Sequence, residues 1–420
     1  MVGVEPAVPC GGDSPSTFPS REAHVSAIAE DPTITRTTAE DRVTVRDRRL
    51  RIVRWIAVGV WAFVIVYRTA TEGFAFNREL LLVYIATGLV VASIGRGRRM
   101  LYVIRDWLPF ALVLIAYDLS RGAATLIGRP TLWHWQADLD RWLFAGTMPT
   151  VWLQEQLKMP QAPWWEVVIS TVYMSFFILP YVVAAVMWLR NREEWKAFVK
   201  LFVGLSFAAL VVYALVPAAP PWAAARCTAG DVEGGPSGPR CMFRSARGVP
   251  DGGILGGMQT TQDGANGWIE RIVTRGWGNL NLHSAGALID QGQASVNLVA
   301  AIPSLHAGMS AAIAAFLWHR INSAWRPLLV AYVLIMAFTL VYTAEHYVID
   351  ILLGWAFAAV VMVAINRFDS WRSRRSRAGE VDLAERLGDG PDGAGARREP
   401  DDVAGAQLQA GSVVVERHGR

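Results

Sequence analysis

Ala301-Ile302-Pro303-Ser304-Leu305-His306-Ala307-Gly308 stands at the head of one apolar run, and Glu345-His346-Tyr347-Val348-Ile349-Asp350 at the head of another. Each places a histidine where a membrane helix meets water. The chain between them reads as one helical hairpin: an apolar run at 304–320, a basic link with Arg320 and Arg326, and a second run at 327–342. A hairpin of two crossings returns the chain to the face it left. Both histidines therefore fall on one side of a bilayer, at the ends of helices that cross it.

The remainder of the chain follows the same plan. Of 420 residues, 53% are hydrophobic and 18% are charged, where a soluble domain carries about 25% charged residues. The apolar residues fall in blocks of membrane-crossing length, which is about 20 residues. They lie at 52–70, 80–94, 107–127 and 164–189, in a run ending at 216, and at 304–320, 327–342 and 346–365. The expected fold class is all-α: a polytopic membrane helical bundle of about eight transmembrane helices. Residues 1–48 are rich in Pro, Ser, Thr and acidic residues and read as a disordered tail. Residues 49–104 hold two helices, 105–366 a six-helix core, and 367–420 a basic stretch followed by a disordered tail. Within the core, 128–163 is a polar and aromatic connection with a short interfacial helix expected from Trp152 onward. A long Gly-rich loop spans 217–303, with a short amphipathic helix expected near 268–275.

Basic residues set the orientation. Arg42–Arg54, Arg96–Arg105, Arg190–Lys200, Arg320–Arg326 and Arg367–Arg377 all fall on one face. That face is cytoplasmic by the positive-inside rule. Both tails are then cytoplasmic, the membrane is expected to be the plasma (inner) membrane, and His306, His346 and the 217–303 loop face outward. Cys227 and Cys241 lie close together in that loop. They form either a disulfide, if the loop is outside the cytoplasm, or two free thiols.

His346 and Asp350 are four residues apart and share a helix face. Asp350 can accept a hydrogen bond from one ring nitrogen of His346 and leave the other nucleophilic. Ionisable pairs are costly in membrane helices and mark function, although a pair reaching for the interface is the plainer alternative. His306 sits in the first turn of its helix, after Pro303 and Ser304, with Ser304 at or just before the N-cap. A helix start favours an anion such as phosphate, so His306 is placed to protonate a leaving oxygen there. Ala307 and Gly308 allow close packing on a neighbouring helix.

These two stretches resemble the second and third signature motifs of the type 2 phosphatidic acid phosphatase superfamily. The wording Pro303-Ser304-Leu305-His306-Ala307-Gly308, the pair His346-Tyr347 with Asp350, and Pro220-Pro221-Trp222 look most like the inositol phosphorylceramide synthase group. The resemblance covers about 105–366 and implies a six-helix phosphatase-like core. It implies that His346 attacks phosphorus, Asp350 orients it, His306 is the general acid and base, and Ser304 binds a phosphate oxygen. It implies no metal and no cofactor. Its partners would be a lipid-linked phosphate substrate and the surrounding membrane lipids, with no nucleic acid and the number of subunits left open.

This sequence departs from the family pattern. The first motif, Lys-x6-Arg-Pro, is absent, and Gly128-Arg129-Pro130 resembles only its end, after the wrong helix. Thr339 and Leu340 stand where Ser-Arg usually precedes the third motif. Another cation must hold the phosphate, and Arg121, Arg129 and Arg226 are the candidates, with an Asp118–Arg121 pair as the structural alternative for Arg121. The leading expectation is a phosphotransferase moving a phosphoryl or phospho-head group, such as phosphoinositol. Hydrolysis of a lipid or prenyl phosphate is the runner-up. A non-enzymatic transporter or lipid-binding protein would carry ionisable residues at mid-bilayer and internal repeats, and the sequence displays neither.

Overall fold

The computed structural model of the chain describes residues 32–72, 78–123, 127–280 and 298–388. Among the described residues every regular element is helical, and the extended pairing consists of two isolated parallel bridges, Leu132 to Ala218 and Ala218 to Ala300. The helices are α1 (Pro32–Glu72), α2 (Arg78–Ala92), α3 (Arg99–Ala123), α4 (Trp135–Leu143), α5 (Pro149–Leu157), α6 (Trp165–Arg190), α7 (Arg192–Leu215), α8 (Pro221–Ala224), α9 (Leu305–Leu317), α10 (Arg326–Tyr342) and α11 (Val348–Gly388).

Local chemistry sets the helix ends. Asn191 alone turns the chain between α6 and α7, its side chain accepting from the Glu193 amide at 2.9 Å. Pro217, Pro220 and Pro221 stop α7. Pro327 lies in the first turn of α10, where a missing N–H costs nothing. After α10 the chain turns sharply at Ala344, whose φ is 62°.

Among the described residues, five segments are long and apolar enough to cross a membrane: Asp47–Thr69, Trp165–Arg190, Arg192–Leu215, Ser323–Tyr342 and Val348–Gly379. The chain is thus a helical membrane bundle. Leu82–Ala92 and Leu305–Leu317 are apolar but shorter. At 13 residues α9 rises only about 20 Å. The run at 304–320 ends in a turn, with the Arg320 amide bonded to Leu317 O at 2.8 Å.

Helices α7 and α9 run antiparallel. Glu194 at the start of α7 pairs with Arg320 beyond the end of α9, and Tyr213 near the end of α7 bonds Pro303 O before α9 at 3.0 Å. Lys200 pairs with Asp369 of α11. The basic links therefore gather at the end of the bundle opposite His306 and His346. Phe110, Tyr181, Phe198, Phe202 and Phe316 fill the core between α3, α6, α7 and α9.

The described helices differ in extent from the sequence reading at several points. Helix α1 begins at Pro32, inside the stretch read as a disordered tail to residue 48, and α11 continues to Gly388, inside the 367–420 tail. Neither stretch has an internal proline and both are rich in Arg, a good helix former. The connection at 128–163 contains α4 as well as the expected helix around Trp152. The helix expected near 268–275 is absent: only Arg275–Leu280 forms a 3-10 turn. The backbone of Glu270 pairs instead with the Gln154 side chain, its amide donating to Oε1 at 3.0 Å and its carbonyl accepting from Nε2 at 2.8 Å.

Candidate active site

Backbone bonds draw the two histidine stretches together. The Ser304 amide donates to Asp350 O at 3.0 Å, and the Trp222 amide to Ala344 O at 2.9 Å. A Cβ on Gly354 would stand 2.4 Å from Ser304 O, and one on Gly308 would stand 2.9 Å from Gly354 O. Helices α9 and α11 thus pack backbone to backbone just inside the site, as small residues permit. Ser304 caps α9, its Oγ accepting from the Ala307 amide at 3.3 Å. Its hydroxyl hydrogen remains a donor for an anion.

The imidazoles of His306 and His346 face each other with ring centroids 5.7 Å apart. Behind His346, Asp350 Oδ2 lies 3.5 Å from Nδ1, an ion-pair contact longer than a hydrogen bond. The same oxygen accepts from the Tyr347 amide at 3.1 Å, as a carboxylate in the first turn of a helix does. Asp350 is fully buried and His346 nearly so. His306 is packed among three rings of α6: Tyr173 stacks on it at 4.9 Å, Phe176 lies at 4.0 Å and Phe177 at 5.8 Å. Two imidazoles across a gap, one of them backed by a buried carboxylate, are side chains of the kinds that group-transfer sites use. The model of one family, described as the PAP2 superfamily, matches residues 134–364, more than half of the chain.

The chain belongs to the PAP2 superfamily. Members of the PAP2 superfamily are in general phosphatases and phosphotransferases. Comparison with curated proteins and with solved structures gave no match.

The three candidate arginines have different places, and of them Arg226 lies within the matched PAP2 residues. Arg226 lies beside the turn that carries His346: its guanidinium sits 5.1 Å over the ring of Trp222, and Nη1 donates to Met242 O at 2.9 Å. Arg129 is exposed, and among the described residues no contact joins it to either histidine. The side chains of Arg121 and Asp118 lie outside the described residues. A fourth arginine went unread in the sequence. Arg271 stands 5.2 Å over the same Trp222 ring and pairs with Glu345, the neighbour of His346. Cys227 and Cys241 are joined, with Cα atoms 5.2 Å apart. Their bond fixes Arg226 against Met242, since each flanks one of the cysteines.

Asp140 of α4 also went unread as a site residue. Its carboxylate accepts from the Val348 amide at 2.9 Å and the Ile349 amide at 2.9 Å, the first two residues of α11. Burial pushes its carboxyl up to about 6 against the pull of those two amides, and the nearby Asp350 adds to the rise. Among the described residues no group of three His, Cys, Asp or Glu side chains is arranged to hold a metal ion.

Proposed function

We propose that this PAP2 protein transfers a phosphoryl group, or a phosphate-bearing head group such as phosphoinositol, from a membrane lipid through a phosphohistidine on His346 at the extracytoplasmic face. The observation that carries this reading is the facing pair of imidazoles, 5.7 Å apart, with Asp350 behind one of them. With Asp350 closing on Nδ1 from its position 3.5 Å away, the Nε2 atom of His346 attacks phosphorus. The bond from phosphorus to the donor's oxygen breaks, and His306 gives that oxygen a proton. His306, now neutral, takes the proton of the incoming alcohol or water as it attacks the phosphohistidine, which releases His346. The Ser304 hydroxyl and the first amides of α9 face the phosphate oxygens. Arg226 and Arg271, gathered on Trp222, supply positive charge beside the His346 turn.

The test is incubation of the purified protein with a panel of lipid phosphates and phosphodiesters, with and without candidate alcohols. A new phospholipid identifies transfer, and free phosphate identifies hydrolysis. A phosphohistidine trapped by acid-free quenching is expected in the wild type and absent in His346→Ala. Full activity in His346→Ala would sink the proposal.

A further inference from the structure

Asp140 is an unusual way to begin a helix. It is fully buried, and among the described residues no cationic side chain lies within ion-pair distance of it. Among the described residues, two amides and the positive end of α11 balance its charge. A buried carboxylate without a cation is expensive. A serine or asparagine would cap a helix at lower cost, but each offers a single acceptor oxygen. The carboxylate gives each amide an oxygen of its own, and so fixes the rotation of the first turn as well as its position.

The rigidity behind Asp140 points the same way. Gln136 of α4 donates to Ala219 O at 3.3 Å, on the segment leading to Trp222. Arg141 donates to Ile254 O at 2.6 Å, and the Ile254 amide bonds Cys227 O at 3.1 Å, in the disulfide-closed loop. Helix α4 is thus braced on two sides, and Asp140 is the group it extends to α11. The held residues, Val348 and Ile349, lie between His346 and Asp350.

We propose that Asp140 is a positioning residue for the nucleophile: by clamping the Val348 and Ile349 amides it sets the first turn of α11 so that Asp350 stays behind His346. The inference rests on the role given to His346 and Asp350 above. The clamp also fills the anion site that the start of α11 would otherwise offer, which leaves the start of α9 to the substrate phosphate.

The test needs no substrate. Full-length protein in nanodiscs is treated with diethyl pyrocarbonate at fixed pH, and carbethoxylation of His346 is followed by peptide mass spectrometry, with the exposed His319 as internal control. Wild type, D140N and D350N are compared. Loss of positioning slows the reaction of His346, whereas mere loosening of the fold exposes this buried ring and speeds it. D140N is expected to label His346 about tenfold more slowly than wild type, because an imidazole that has lost its orienting carboxylate is a weaker nucleophile, with His319 unchanged. Labelling in D140N at or above the wild-type rate, beside slow labelling in D350N, overturns the inference alone. A wild-type rate in D350N removes Asp350 from the proposed chemistry and this inference with it. Should D140N not fold, D140E carries the test: it keeps the charge but moves it by one methylene, and the same two outcomes decide.

Discussion

His306 is held by shape where His346 is held by charge. Tyr173, Phe176 and Phe177 of α6 fix the plane of its ring, with Phe176 nearest at 4.0 Å. In the proposed acid role, reaching one leaving oxygen, His306 gains from such a fixed plane. Phe176→Ala is therefore expected to lower kcat about tenfold, short of the 10²–10⁴-fold that removal of a general acid costs, with KM changed less than kcat. Steady-state kinetics of Phe176→Ala and His306→Ala side by side check the ranking. Asp140 gives a pH signature at the same scale. Burial raises its carboxyl from 3.8 to about 6 in the folded protein. A raised folded value means stability fully present below 3.8 and lost as pH rises through about 6. The thermal midpoint of wild type relative to Asp140→Asn is thus expected to rise as pH falls from 6 toward 4, read by thermal denaturation in detergent across that window. A difference that is flat with pH would contradict the buried, ionising carboxyl.

The pairing of α9 with α11 is what turns two separate motifs into one site. Its contact has no room for a methyl group: a Cβ on Gly354 meets Ser304 O at 2.4 Å and Gly308 N at 3.3 Å. Gly354→Ala is expected to push the helices apart and destabilise by about 1–3 kcal/mol, as overpacking does, and to lower turnover because Ser304 and His306 ride on α9. Gly308→Ala, at 2.9 Å from Gly354 O, should be milder, and Gly59→Ala, with nothing within 4 Å, should be silent. Thermal midpoints and activities of the three variants test this order. Elements of this kind were legible in the sequence because their signals are local. Pro303 and Ser304 announce a helix start, the four-residue spacing of His346 and Asp350 a shared face, and Ala307 and Gly308 a close contact. Asp140 was not legible, because its partners are 208 and 209 residues away and nothing near it in sequence marks it. Arg271 was hidden for the same reason, its partner Glu345 lying 74 residues on. Arg129 is a local likeness of another kind: an Arg-Pro pair resembles a motif, but only the fold decides whether it reaches the histidines.

At the scale of the molecule, the bundle is polarised. The basic ends of α6, α7, α9 and α10 lie at one end, where Arg320 meets Glu194 and Lys200 meets Asp369. The histidines, the Cys227–Cys241 bond and the braced helix α4 lie at the other. Charge and disulfide argue for one orientation independently. Lys and Arg are retained on the cytoplasmic side of membrane helices, and disulfides persist outside it. The window Asp47–Thr69 adds a span with none of its residues buried inside the protein, so lipid is its natural neighbour. Single-cysteine labelling in whole cells can test this polarity, in a background with Cys10→Ser so that the paired cysteines stay silent. A membrane-impermeant maleimide is expected to react with Asp263→Cys, exposed in the long loop, and not with Ser373→Cys, exposed on the basic extension of α11. The opposite pattern would put His306 and His346 on the cytoplasmic face, and the lipid phosphates to be tried would be those of the inner leaflet.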